Sequence, residues 1–270
     1  MKLNLAFLGC DKMNYKLNID DRGVATISID RPALHNAFDD DLINDLIKCF
    51  QDLEKNSKLR LVVLTGVGKS FCAGADLNWM KRMKDYTYDE NLKDSQNLAE
   101  LFTIINNFKT PTIARVNGQA YGGGAGLIAC CDYVIAIDTV FIAFTEARLG
   151  LLPAVISPFV IAKIGESHAR AVFLSGARFD TTRAMSMGLV HQISSFDKLD
   201  EDLEIVIKDF LLAAPKAALL AKELIAVVAH KATLDEARHY TCEMISKVRA
   251  SAEGQEGMNA LLEKRKASWL

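Results

Sequence analysis

Leu61-Val-Val-Leu-Thr65 is a short, unbroken aliphatic run between two helical stretches, and the same alternation recurs along the chain. A strand with no polar alternation is expected to be covered on both faces, which a sheet with helices packed against it provides. Upstream, Ala25, Ile27 and Ile29 alternate with polar or small neighbours, predicting a half-buried strand that Arg31-Pro32 ends. Leu42, Ile43, Leu46, Ile47, Phe50 and Leu53 fall on one helical face behind Asp39-Asp40-Asp41, an acidic start that suits the helix dipole. Leu98, Leu101, Phe102, Ile105 and Phe108 predict a second amphipathic helix, stopped by Pro111. Thr112 to Val116 and Tyr133 to Ile137 predict strands, with a short apolar helix opening at Gly122-Gly-Gly-Ala-Gly126 between them. Strands alternating with helices imply α/β architecture with mainly parallel pairing. From about Glu201 the periodicity is helical, so the chain divides into a core over 13–200 and a helical region over 201–270.

The balance of 32 Lys and Arg against 34 Asp and Glu leaves a net charge of −2. With no basic, aromatic-laced patch, this argues against a nucleic-acid partner. No apolar run reaches bilayer length, which argues against a membrane span. The six cysteines show no CxxC spacing and read as reduced side chains of a cytoplasmic protein. The five histidines form no HxxxH or HExxH pair, so no metal site is expected. Residues 3–10 superficially resemble a lipoprotein signal ending at Cys10. That stretch falls short of the roughly 7–15 apolar residues an export signal needs and is broken by Asn4, so it reads as an untargeted extension, with Met13 as an alternative start.

Three glycine clusters compete for attention. Gly66-Val-Gly-Lys-Ser70 has the tail of a phosphate loop but Val63 where its first glycine belongs. Gly124-Ala-Gly126-Leu-Ile-Ala129 spells a dinucleotide fingerprint, yet Asn117 to Tyr121 separate it from its strand. Its would-be acidic partner, Asp138, arrives well short of the roughly 20 positions expected. Two readings remain for Gly122 to Gly126. They present helix N-terminal N–H groups to an acceptor carrying negative charge, or they merely permit tight helix–strand packing.

Phe71-Cys-Ala-Gly-Ala-Asp-Leu77 and Asn117-Gly-Gln-Ala-Tyr-Gly-Gly-Gly-Ala-Gly126, joined by an amphipathic helix, resemble the crotonase (enoyl-CoA hydratase/isomerase) superfamily. Arg31-Pro-Ala-Leu-His-Asn-Ala37, Cys131-Asp132 and Phe144-Thr-Glu-Ala-Arg-Leu-Gly150 agree with it. The resemblance implies an α/β spiral of ββα units (the ClpP/crotonase-like fold) with a C-terminal helical region for trimerisation. It also implies an acyl-CoA substrate, no cofactor beyond the coenzyme A that substrate carries, and a homotrimer or dimer of trimers. It places oxyanion donors on the amides of Ala73 and Gly123, and coenzyme A contacts on Ala33, Ala73, Gly74, Ala75, Asp76, Leu77, Gly122 and Gly123. For Asp76 a helix N-cap is the competing reading.

Two glutamates serve acid/base chemistry in well-studied relatives. Glu146 matches one of them, and the other position holds Gly126. Taken alone, Glu146 reads as solvated or paired with Arg148; the resemblance makes it the acid/base group, with a pKa raised by apolar neighbours. Leu151-Leu-Pro-Ala-Val-Ile-Ser-Pro-Phe159 is similar to bacterial 3-methylglutaconyl-CoA hydratase-like enzymes, and Gly126 would leave room for a branch or a second polar group. The expected activity is hydration of a short or branched 2-enoyl-CoA. The alternatives are a Δ3,Δ2-enoyl-CoA isomerase and a non-catalytic acyl-CoA-binding protein.

Overall fold

The computed structural model describes residues 13–229 and 233–270, so the segment ending at Cys10 lies outside the described residues. In chain order the elements are β1 (Tyr15–Ile19), β2 (Val24–Ile29), α1 (Asp40–Glu54), β3 (Leu61–Gly66), β4 (Ser70–Cys72), α2 (Leu77–Met83) and α3 (Tyr88–Asn106). Then follow β5 (Thr112–Val116), β6 (Gln119–Tyr121), α4 (Gly123–Cys130), β7 (Tyr133–Ile137), β8 (Phe141–Ala143) and α5 (Ser157–Ser175). The chain closes with β9 (Phe179–Asp180), α6 (Thr181–Ser186), β10 (Gln192–Ser194), α7 (Leu199–Leu212), α8 (Pro215–Ala229), α9 (Leu234–Ala250) and α10 (Ala252–Leu262).

Two sheets result. One has the order β1-β2-β3-β5-β7-β10 and the other β4-β6-β8-β9. The β1–β2 pair is antiparallel and the rest of the larger sheet is parallel. Successive units each send their first strand (β3, β5, β7) to the large sheet and their second (β4, β6, β8) to the small one before a helix. Every residue of β3 is buried, as its unbroken aliphatic run predicts. The expected face of α1 packs inward through Leu42, Ile43, Leu46, Phe50 and Leu53, joined by Cys49, while Ile47 is only half-buried. Asp39 caps that helix, accepting from Leu42 N–H at 2.9 Å.

Asn117 ties the loop between β5 and β6 to the loop between β3 and β4. Its side-chain amide donates to the carbonyls of Gly66 and Gly68, each at 2.9 Å. The core extends past residue 200, because α7 buries Leu199, Leu203, Val206 and Ile207 in it. The division of the chain by packing therefore falls after α7. Helices α8 and α9 bury none of their described residues. Lys222 of α8 is tied back to Asp132 at 2.7 Å, and Asp132 also accepts from the Thr112 N–H. No helix among the described residues is long and apolar enough to cross a membrane.

Candidate active site

Residues 73–76, between β4 and α2, run beside residues 35–39. The Ala73 N–H donates to the His35 carbonyl at 3.0 Å. The Phe38 N–H donates to the Gly74 carbonyl, and the Asp76 N–H to the Phe38 carbonyl, both at 2.7 Å. Gly74 takes φ +92°, a left-handed value that turns the chain between Ala73 and Ala75. A trans peptide points its C=O and N–H in opposite directions. With the Gly74 carbonyl aimed at Phe38, the Ala75 N–H faces away from that strand, on an exposed residue, and donates to nothing among the described residues. This corrects the expectation for Ala73: its amide is already engaged, and the open donor of this turn is Ala75.

Strand β6 pairs with β4 in parallel, Ser70 opposite Gln119 and Cys72 opposite Ala120, so both strands release their turns at the same end. The turns touch: a Cβ on Gly74 would lie 3.0 Å from the Tyr121 carbonyl oxygen. Gly122 has φ +50°, and its N–H donates to the Ala143 carbonyl at 2.9 Å. Gly123 then opens α4. The first N–H groups of a helix have no intrahelical acceptor and sit at the positive end of its dipole.

The third group follows β8, the neighbour of β6 in the same sheet. Glu146 begins a 3-10 turn over Glu146–Leu149, and its carboxylate lies against Gly122, where a Cβ would meet Oε1 at 3.1 Å. Its Oε2 is buried with no hydrogen-bond partner among the described residues. Burial raises the Glu146 pKa above the usual carboxylate range, partly opposed by a hydrogen bond from its own backbone. Arg148 does not pair with it: that guanidinium donates from Nε to the Ser175 carbonyl at 3.0 Å. A carboxylate held this way is suited to taking up and returning a proton.

Gly126 lies one turn along α4. A Cβ there would fall 2.4 Å from Ile156 Cγ2 and 3.1 Å from Phe102 Cε1. The expectation that Gly126 leaves room is overturned, because the buried side chain of Ile156, just ahead of α5, fills that space. Phe38 lies against Gly123 in the same way and meets Phe102 edge-on at 6.3 Å between ring centroids. The space beside Gly126 is therefore filled by hydrocarbon side chains rather than by an acid.

Asp76 is buried and caps α2, accepting from Asn78 N–H at 2.7 Å and Trp79 N–H at 3.2 Å. Its other oxygen faces Arg31 at 3.8 Å, so it builds the turn and does not point outward. Ala33 and Leu77 are exposed. Phe38, Arg31 and Ile156 were not among the residues expected at the site. Arg31 and Ile156 lay inside recognisable segments, but nothing in one sequence says which residue fills the space beside a distant glycine. Among the described residues, no three His, Cys, Asp or Glu side chains group as metal ligands.

A family profile described as enoyl-CoA hydratase/isomerase matches residues 20–270. The chain is 31% identical over 242 residues to a putative enoyl-CoA hydratase of Thermus thermophilus, with 90% of this chain and 95% of that protein covered. It is similar in structure to a putative enoyl-CoA hydratase/isomerase (crotonase) from Legionella pneumophila, at TM-score 0.91 and 40% identity, covering 96% of this chain and all of that one. An enoyl-CoA hydratase from Shewanella pealeana aligns at TM-score 0.91 and 36% identity, over 95% of this chain and 96% of its own.

Proposed function

This chain belongs to the enoyl-CoA hydratase/isomerase family, and from that premise we propose that it hydrates short or branched 2-enoyl-CoA thioesters with two backbone donors and a single carboxylate. The observation carrying the reading is Glu146, whose buried Oε2 has no partner among the described residues and whose Oε1 rests on the turn that opens α4. A non-catalytic acyl-CoA-binding protein would gain nothing from such a group.

In this reading the thioester oxygen accepts from the amides of Gly123 and Ala75. Water bonds to C3 and gives a proton to Glu146, while the C2–C3 π electrons move onto the thioester oxygen. Charge developing there is stabilised by donors already in place, each worth about 3–4 kcal/mol in enzymes where one has been removed. Glu146 then returns the proton to C2, and the carbonyl re-forms. One carboxylate acts first as base and then as acid, which a raised pKa favours.

The wall of Phe38, Phe102 and Ile156 favours a hydrocarbon acyl group. A second carboxylate, as in 3-methylglutaconyl-CoA, would be buried there without a partner, at a cost of several kcal/mol. A lone acid also suits carrying a proton between two carbons, which keeps Δ3,Δ2-enoyl-CoA isomerisation as the second reading. Incubation with a 2-enoyl-CoA and separately with a 3-enoyl-CoA distinguishes them. A 3-hydroxyacyl-CoA product is expected from the 2-enoyl substrate, and double-bond migration with no hydroxyacyl product would overturn hydration.

The apolar sequence of α8, none of it buried within the chain, supports homo-oligomerisation through the C-terminal helices. A mass in solution of three or six chains is expected by light scattering; a monomer would refute it.

A further inference from the structure

We propose that Arg31 is the positioning residue for the Ala75 amide, fastening the strand that aims this N–H at the thioester; the inference rests on Ala75 and Gly123 being the oxyanion donors. Arg31 is largely buried, with 12% of its side chain exposed, and its guanidinium meets three groups on two segments. Nη1 donates to the Ala37 carbonyl at 2.6 Å, and Nη2 pairs with Asp39 and faces Asp76 at 3.8 Å. Asp39 caps α1 and Asp76 caps α2, so one planar cation links the starts of two helices.

Between those anchors lies the backbone pairing that orients Ala75. The Phe38 N–H and C=O bond to Gly74 and Asp76, on either side of it. Residues 35 and 36 enter this pairing at φ +51° and +57°, uncommon values for side-chain-bearing residues. Asn36 holds them there, donating to the carbonyls of Val67 and Ser70 at 3.0 and 2.8 Å and accepting from the Arg31 N–H at 2.9 Å. Without the guanidinium, the half-buried Asp39 and the buried Asp76 would lose the cation between their carboxylates. Residues 37–39 would then be held to 74–76 by the backbone pairing alone. Lysine places its charge at a single point and cannot reproduce a planar contact with a carbonyl and two carboxylates.

The test uses Arg31→Ala and Arg31→Lys with 4-(dimethylamino)cinnamoyl-CoA, a chromophoric enoyl thioester whose absorption moves to longer wavelength when its carbonyl is polarised. Wild-type protein should red-shift the bound thioester. Arg31→Ala should shift it less and lose about 10²-fold in kcat, the scale expected for an Ångström of misplacement, with KM little changed. Guanidinium ion should restore both readouts to Arg31→Ala, and methylammonium should not. Arg31→Lys should fall between the two, and it carries the test if the alanine variant does not fold. A red shift of wild-type size in the variants, or a loss of kcat that guanidinium leaves untouched, overturns the role of Arg31. Absence of any red shift in wild-type protein would instead overturn the donor reading on which it rests.

Discussion

The turn after β4 and the turn after β6 both end in an amide free to donate, and they are built by different means. The first relies on side chains: Asp76 caps α2, Arg31 braces Asp76 against Asp39, and only Gly74 departs from ordinary backbone values. The second contributes no side-chain cap at all. Gly122 supplies a positive φ, and glycines at 122, 123 and 126 bring Glu146, Phe38 and Ile156 against bare backbone. A turn assembled from charges should weaken by degrees, whereas one assembled from missing side chains should fail abruptly when a Cβ is added.

The largest effect should come from Glu146, the acid that lies against Gly122. Glu146→Gln should lower kcat by about 10²–10⁴-fold while calorimetric acyl-CoA affinity stays close to wild type; wild-type turnover would remove Glu146 from the mechanism. Gly122→Ala follows. It forces a left-handed φ on alanine and sets a Cβ 3.1 Å from Glu146 Oε1, so kcat should fall by about 10²–10³-fold, the scale of a lost oxyanion donor. Its counterpart in the side-chain turn, Asp76→Ala, should instead cost about 1 kcal/mol of urea-unfolding stability as a lost cap, with a smaller loss of kcat. Equal kinetic damage from the two would erase the distinction between the turns.

A stability cycle sharpens the packing half of the comparison. Gly126→Ala should destabilise by about 1–3 kcal/mol through overpacking against Ile156, and much less in an Ile156→Ala background. Additivity of the two changes would mean that Ile156 does not fill that space. The smallest effect is a pH dependence of stability. Burial raises the Glu146 pKa in the folded state, so the native chain binds this proton more tightly than the unfolded one. Its contribution is most favourable below the unfolded pKa and declines as pH rises toward the folded value. Glu146→Gln should therefore be more stable than wild type at neutral pH, with the gap closing in acid. A gap that widens in acid would mean the carboxylate is stabilised in its charged form.

Much of the frame was legible because it follows from periodicity. The face of α1, the unbroken run of β3 and the Asp76 cap each depend on residues close together in the chain. The crotonase-like ββα repetition was likewise carried by two short motifs in the right order. The errors were all long-range or conformational. Ala73 and Ala75 are both alanines flanking one glycine, and only the φ of Gly74 decides which amide is open. Position 126 looked vacant because its occupant, Ile156, comes from a segment 30 residues on. Strands β4, β6 and β8 are three residues each, too short for alternation to register, so the second sheet gave little warning. The end of the core was placed too early because α7 is helical like the appendage but packs like the core.

The three-residue strands have a further consequence. Ala75, Gly123 and Glu146 hang from the ends of adjacent rungs of one small sheet, so their separations are fixed by hydrogen-bond register. Slipping any rung by one residue would carry its group about 3.3 Å, too far for the proposed donors and acid to act on one thioester. A change in what a rung carries should therefore leave the frame intact, where an insertion within a rung should not.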